Sequence, residues 1–122
     1  MSDHIRTKIT KMNEYLEAQC PKEDEDLINR LENLQVLLSQ SGKYLAEAKM
    51  LRDEQIQLSI KGVVSNPEYV GLSNTLMNEY VKSSCKDLNY LVNSLDRINS
   101  ASVHQIDAIR SILSYRKSQM TL

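Results

Sequence analysis

The stretch LINRLENLQVLLSQSGKYLAEAKMLRDEQIQL, residues 27–58, decides how the chain folds. Leu27, Leu31, Leu34, Leu38, Ser41, Leu45, Ala48, Leu51, Gln55 and Leu58 recur mostly at steps of three and four, the spacing of one helical face. The rhythm crosses Gly42 without changing phase. The spacing therefore predicts one continuous helix, although SQSGK (39–43) lowers helix propensity and marks where a kink or break would fall.

Upstream, Ile5, Ile9, Met12 and Leu16 form a shorter stripe, predicting a first helix over about 3–19 that ends at Cys20-Pro21. Pro21 also suits the first turn of the second helix, and the KEDED run behind it sets carboxylates near that helix's positive end, a solvated helix start. The second helix is expected over 21–61, with Gly62 as its C-cap. In the connector KGVVSNPEYVGLS, Asn66-Pro67 offers one restart and Gly71 with Ser73 a second. From about 67 to 119 a third helix is expected, with a stripe of Met77, Val81, Leu88, Leu91, Leu95, Ile98, Ile106, Ile109 and Leu113. Ser84, Ser102 and Gln105 interrupt that stripe and Asn99 lies at its edge. Polar residues so placed fix register in coiled-coil packing at some expense of stability.

Two long helices with a short connector pack antiparallel. The expected fold is all-α: a single domain over 1–122, built as a long antiparallel helical hairpin with a short N-terminal helix closing a three-helix bundle of coiled-coil-like packing. With 122 residues, no Phe, no Trp, three Gly and two Pro, the core must come from Leu, Ile, Val and Met on a few long elements.

Composition also excludes functions. Fifteen Lys and Arg against 16 Asp and Glu give no basic field for polyanions, which disfavours nucleic acid as a partner. MSDHIRTKITKMNEYLEAQC has no apolar leader core, and no later run reaches the ~18 apolar residues of a membrane span. No membrane association and a cytoplasmic location are expected. Cys20 and Cys85 stand outside any CxxC or Cys/His metal spacing and read as free thiols, Cys85 in the core. There is no Gly-rich phosphate loop, no G-x-S-x-G and no H-E-x-x-H, so no enzyme activity, cofactor or metal is expected.

The third helix carries a second face: Lys86, Tyr90, Asn93, Arg97, Ala101, His104, Ala108, Ser111 and Tyr115. Alanine and serine there permit close approach of another backbone. Packing on both sides is therefore expected, partly by the first helix and partly by another subunit through Tyr90, Ala101, Ala108 and Ser111. Arg97, His104, Arg110, Tyr115, Arg116 and Lys117 are the candidate contacts to a ligand or partner, since arginine forks and a tyrosine ring suit anions. Arg110 lies toward the edge of the principal stripe, away from His104, and Arg116-Lys117 complements the negative end of the helix.

CKDLNYLVNSLDRINSASVHQIDAIRSILSYRKSQM, residues 85–120, resembles the C-terminal part of small all-helical proteins of unassigned role encoded by bacteriophages and mobile elements. The resemblance covers under a third of the chain. It implies a phage or mobile-element origin, with the host cytoplasm as location, and carries no active site. Three functions follow as expectations: a self-associating, non-catalytic helical protein that binds a host or phage protein; an oligomeric anti-defence sponge for a nucleotide-like signal; or a structural or assembly component of a phage particle.

Overall fold

The computed structural model describes residues 2–69, 71 and 73–120. All regular structure among them is helical: α1 (Ser2–Glu17), α2 (Asp24–Ser65), a 3-10 turn (Pro67–Tyr69), α3 (Asn74–Ser84) and α4 (Lys86–Met120).

Helix α2 runs through Gly42 unbroken for 42 residues, because the buried rows on either side of the glycine keep their phase. It starts later than Pro21 and passes Gly62, ending at Asn66 in extended conformation. Both proposed restarts are used in sequence. The Asn66 side chain accepts the Glu68 backbone N–H at the 3-10 turn, and Ser73 Oγ accepts the Leu76 N–H as the N-cap of α3. Gly71, at φ 90°, supplies the left-handed residue between them. Val70 and Leu72 of the connector lie outside the described residues.

The expected third helix is instead two helices. Cys85 (φ −101°, ψ 6°) leaves the helical region for one residue, its N–H shared at 3.2 Å between the carbonyls of Val81 and Lys82. Ser84 Oγ donates to the Val81 carbonyl at 2.7 Å, and such back-bonding competes with the backbone ladder and bends helices. Three successive small, weakly helix-forming residues, Ser83 to Cys85, give that competition its opening. Cys85 is buried, as expected from the sequence.

On α2 the buried row is Leu27, Arg30, Leu34, Leu37, Ser41, Tyr44 and Ala48, a strict three–four alternation. Leu31, Leu38 and Leu45, assigned to the stripe from sequence, are only half-buried flanks. α2 is covered from two directions, by α4 and by α1, so its buried arc centres between them and takes in Arg30, Leu37 and Tyr44. Toward the C-terminus the row rotates onto Ser59 and Val63, leaving Leu58 63% exposed, outside the core.

Polar pairs set the register. Arg116 reaches the Lys22 carbonyl at 2.8 Å and the Asp24 carboxylate, Arg30 Nη2 donates to Gln105 Oε1 at 2.8 Å, and Ser41 Oγ donates to Asn99 Oδ1 at 2.6 Å. The Ser59 and Ser84 hydroxyls share a 2.6 Å bond. Residue numbers rise along α2 as they fall along α4 and α3, so α2 runs antiparallel to both. A slip of one heptad would set Ser41 opposite Val92 or Ile106 and leave a buried hydroxyl and amide unmet, at roughly 1–3 kcal/mol for each orphaned group.

Helix α1 lies along the α2–α4 seam. Ile5, Ile9 and Met12 join Leu37, Tyr44, Ala48, Leu91, Leu95 and Ile98 in one core cluster, while Leu27, Leu34, Ile106 and Ile109 form a second beyond its end. The last carbonyls of a helix have no partner within it. Here Gln105 Nε2 donates to the Leu16 carbonyl at 2.9 Å, and Arg30 Nη2 to the Tyr15 carbonyl at 3.2 Å with its guanidinium 4.7 Å from the Tyr15 ring centre. A buried cation thus meets the negative end of α1. Polar residues of α2 and α4 cap the first helix from outside it.

Candidate interaction surfaces

The second face of the expected third helix lies on α4 and points outward. Tyr90 is 61% and Tyr115 65% exposed; Arg97, His104, Ala108, Arg110, Ser111 and Lys117 are exposed as well, and Ala101 is half-buried. α1 docks on the Leu91, Leu95 and Ile98 side of α4 and touches this face at its edge, where the Arg6 guanidinium lies 5.9 Å from the Tyr90 ring centre and 3.8 Å from Asp87. Of the candidate contact residues, Arg116 alone is drawn into the fold: it binds the Lys22 carbonyl and Asp24, so one carboxylate of the KEDED run holds α4 rather than standing free in solvent. His104 shares a shallow groove of about 370 Å³ with Leu38, Asn99 and Val103. Arg97 and Arg110 are 13 positions apart on one helix, roughly 20 Å at 1.5 Å per residue, so a single chain does not bring them to one ligand.

Two surfaces absent from the sequence reading carry more apolar area. The first is the distal arm, where α2 pairs with α3 and no residue of α1 lines the groove between them. Ile56, Ile60, Val63, Met77 and Val81 line an open groove of about 490 Å³ there. Val64, one turn beyond Ile60, is 72% exposed, while Leu58 and Leu76 are exposed on other sides of the two helices, and the Tyr80 ring packs against Tyr69 with ring centres 5.6 Å apart, holding the connector to α3. A pair of helices has two faces and can bury only one seam. The alternation of Ile56, Ile60 and Val63 on one helix with Met77 and Val81 on the other was visible in the sequence; that nothing in the chain covers it was not.

The second is a groove of about 340 Å³ between α1 and α2, floored by Met12 and Leu37 and walled by Lys8, Lys11, Tyr15 and Val36. Its origin is a second row on α1, His4, Lys8, Lys11 and Tyr15, one position before each residue of the buried stripe. His4 meets the Tyr44 ring edge-on at 5.3 Å, closing the upper end.

Comparison with protein-family models, curated proteins and solved structures found no match to this chain. The reading of its surfaces therefore rests on their chemistry. Among the described residues, no group of three or more His, Cys, Asp or Glu is placed to hold a metal ion, and no helix is long and apolar enough to cross a membrane. Cys20 is exposed and Cys85 buried, both as free thiols. His4 and His104 lie on different helices, the first against Tyr44 and the second in the groove with Asn99.

Proposed function

We propose that this chain is a non-catalytic helical interaction protein that self-associates and binds another protein, with a phage or mobile-element origin suggested by residues 85–120. In this reading the chain is a long helical hairpin, with α1 stiffening its middle and leaving its distal arm bare. The observation that carries the proposal is the apolar groove of that arm, lined by Ile56, Ile60, Met77 and Val81, with the exposed Val64 one turn beyond Ile60. An open apolar groove rimmed by polar residues is the kind of surface at which proteins associate.

A second copy suits the arm. Two paired helices that each leave an apolar row uncovered become a four-helix arrangement when doubled about a two-fold axis, and the same patch then serves both partners. Lys61, Glu79 and Lys82 intersperse both signs of charge on the arm, which permits a self-complementary rim. This moves the proposed subunit contact from Tyr90, Ala101, Ala108 and Ser111, small and polar, to the arm, large and apolar.

Native mass spectrometry of the purified protein, followed by denaturation of the same sample to release anything bound, tests the reading. A discrete oligomer without a small ligand supports it. A monomer at tens of micromolar contradicts self-association, and an oligomer releasing a phosphorylated small molecule would replace this reading with the sponge, its Arg97 and Arg110 contributed by different subunits.

A further inference from the structure

The groove between α1 and α2 carries two cations and charge of a single sign. Lys8 and Lys11 stand on the α1 wall, the amides of Asn33 and Gln40 on the α2 wall, and no carboxylate lines it. Glu14 and Glu32 are exposed and do not line it. Lys43 extends the same sign beyond the upper end, its ammonium 5.8 Å from the Tyr44 ring centre.

The floor is apolar and partly open. Met12 and Leu37 are nearly covered, but Val36 is 59% exposed on the rim and Tyr15 is half-buried. An apolar floor beneath cationic walls fits neither a phosphate nor a bare polyanion, which need donors and no apolar seat. It fits a ligand with one apolar and one acidic side.

The dimensions select the ligand's shape. The groove runs from residue 8 to 15 on α1 and from 33 to 40 on α2, roughly 10 Å or two helical turns on each wall. Both walls are helices, and neither offers an unpaired strand edge to an extended peptide. A third helix laid between them would seat two or three apolar anchors at i, i+3 or i+4, and i+7, the helix-in-groove mode of recognition.

We infer that this groove docks an acidic amphipathic helix of a partner protein, with apolar anchors on Met12, Val36 and Leu37 and carboxylates on Lys8 and Lys11. The inference deepens the reading of the chain as an interaction protein by naming the partner's chemistry, and it uses a surface separate from the arm. The cations set the sign of the partner and the rate of encounter, and the apolar floor sets its residence time.

The test is fluorescence anisotropy of the full chain with a fluorescein-labelled helical peptide carrying a leucine stripe and glutamate elsewhere, beside the same peptide with lysine for glutamate. Binding of the glutamate peptide, weakened by at least about tenfold in Lys8→Glu/Lys11→Glu and in Val36→Asp and unchanged in Lys49→Glu, an exposed α2 position outside the groove, supports the inference. These are exposed or half-buried positions, and circular dichroism confirms that each variant folds. Equal binding of the lysine peptide, undiminished binding by the Lys8/Lys11 variant, or no binding of the glutamate peptide overturns it. So does capture of phosphatidylglycerol vesicles without capture of the peptide, which would assign the groove to a lipid surface. A monomeric chain that binds the glutamate peptide would end the self-association proposal and leave this inference standing; an oligomer that ignores the peptide would do the reverse.

Discussion

Replacing Arg30 with alanine should release the C-terminal end of α1. Arg30 is 7% exposed and has no carboxylate partner; its Nη2 serves the Tyr15 carbonyl and Gln105 Oε1, and its Nε is unpartnered. Two hydrogen bonds from a charged donor contribute about 1.5–3 kcal/mol each, and the stacking on Tyr15 adds about 1 kcal/mol. Against this, burying an unpaired guanidinium is expensive, several kcal/mol before compensation, and alanine removes that expense. The balance is a loss of roughly 2–4 kcal/mol, since the orphaned Gln105 Oε1 and the space left beside Tyr15 also destabilise. Urea unfolding gives the total, and amide hydrogen exchange gives its location: protection should fall first in α1 and remain in α2 and α4 around Ser41 and Asn99. Arg30→Met, which keeps the volume and removes the charge, should recover part of the loss. An Arg30→Ala variant within about 1 kcal/mol of the parent, with α1 exchange unchanged, would refute the capping argument.

Gly42→Ala and Gly62→Ala should each stabilise by about 0.5–1 kcal/mol in thermal or urea unfolding, because both glycines lie within α2 and an added Cβ would have no neighbour within 4 Å. Ellman's reagent should titrate one thiol per folded chain, the exposed Cys20, and the second only on unfolding, because Cys85 is 2% exposed. Arg116→Ala should lower stability by no more than about 1 kcal/mol, since the Arg116 and Asp24 side chains are 40% and 55% exposed, with the change diminishing in high salt and seen as faster exchange at the start of α2.

How far the sequence carried the fold depended on whether a pattern was local. The α2 stripe predicted one helix through Gly42 because buried positions on both sides shared a phase, and the polar interruptions Ser84, Asn99 and Gln105 were legible as register devices. Their partners were not: Ser41 stood only as one position of the α2 stripe, and nothing in the sequence singled out Ser59 or Arg30, since the burial of Arg30 follows from where α1 ends, a tertiary fact. The same fact shifted the buried row from Leu31, Leu38 and Leu45 to Arg30, Leu37 and Tyr44. The interruption at Cys85 was missed because no glycine or proline marks it; the signal was three small residues in succession with a serine able to bond its own backbone. Of the candidate contacts, Arg116 proved to be a structural tie, while Lys8 and Lys11 were passed over because their row runs beside the apolar stripe that explained the helix.

The distal arm carries the central claim, and sedimentation equilibrium of the parent protein beside an Ile60→Glu/Val64→Glu variant tests it most directly. Both side chains are largely exposed in the single chain, 47% and 72%, so the substitutions should leave the monomer folded while placing charge on the apolar face. The account predicts a discrete oligomer for the parent and a folded monomer for the variant. A monomeric parent, or a variant that associates as strongly as the parent, would contradict it.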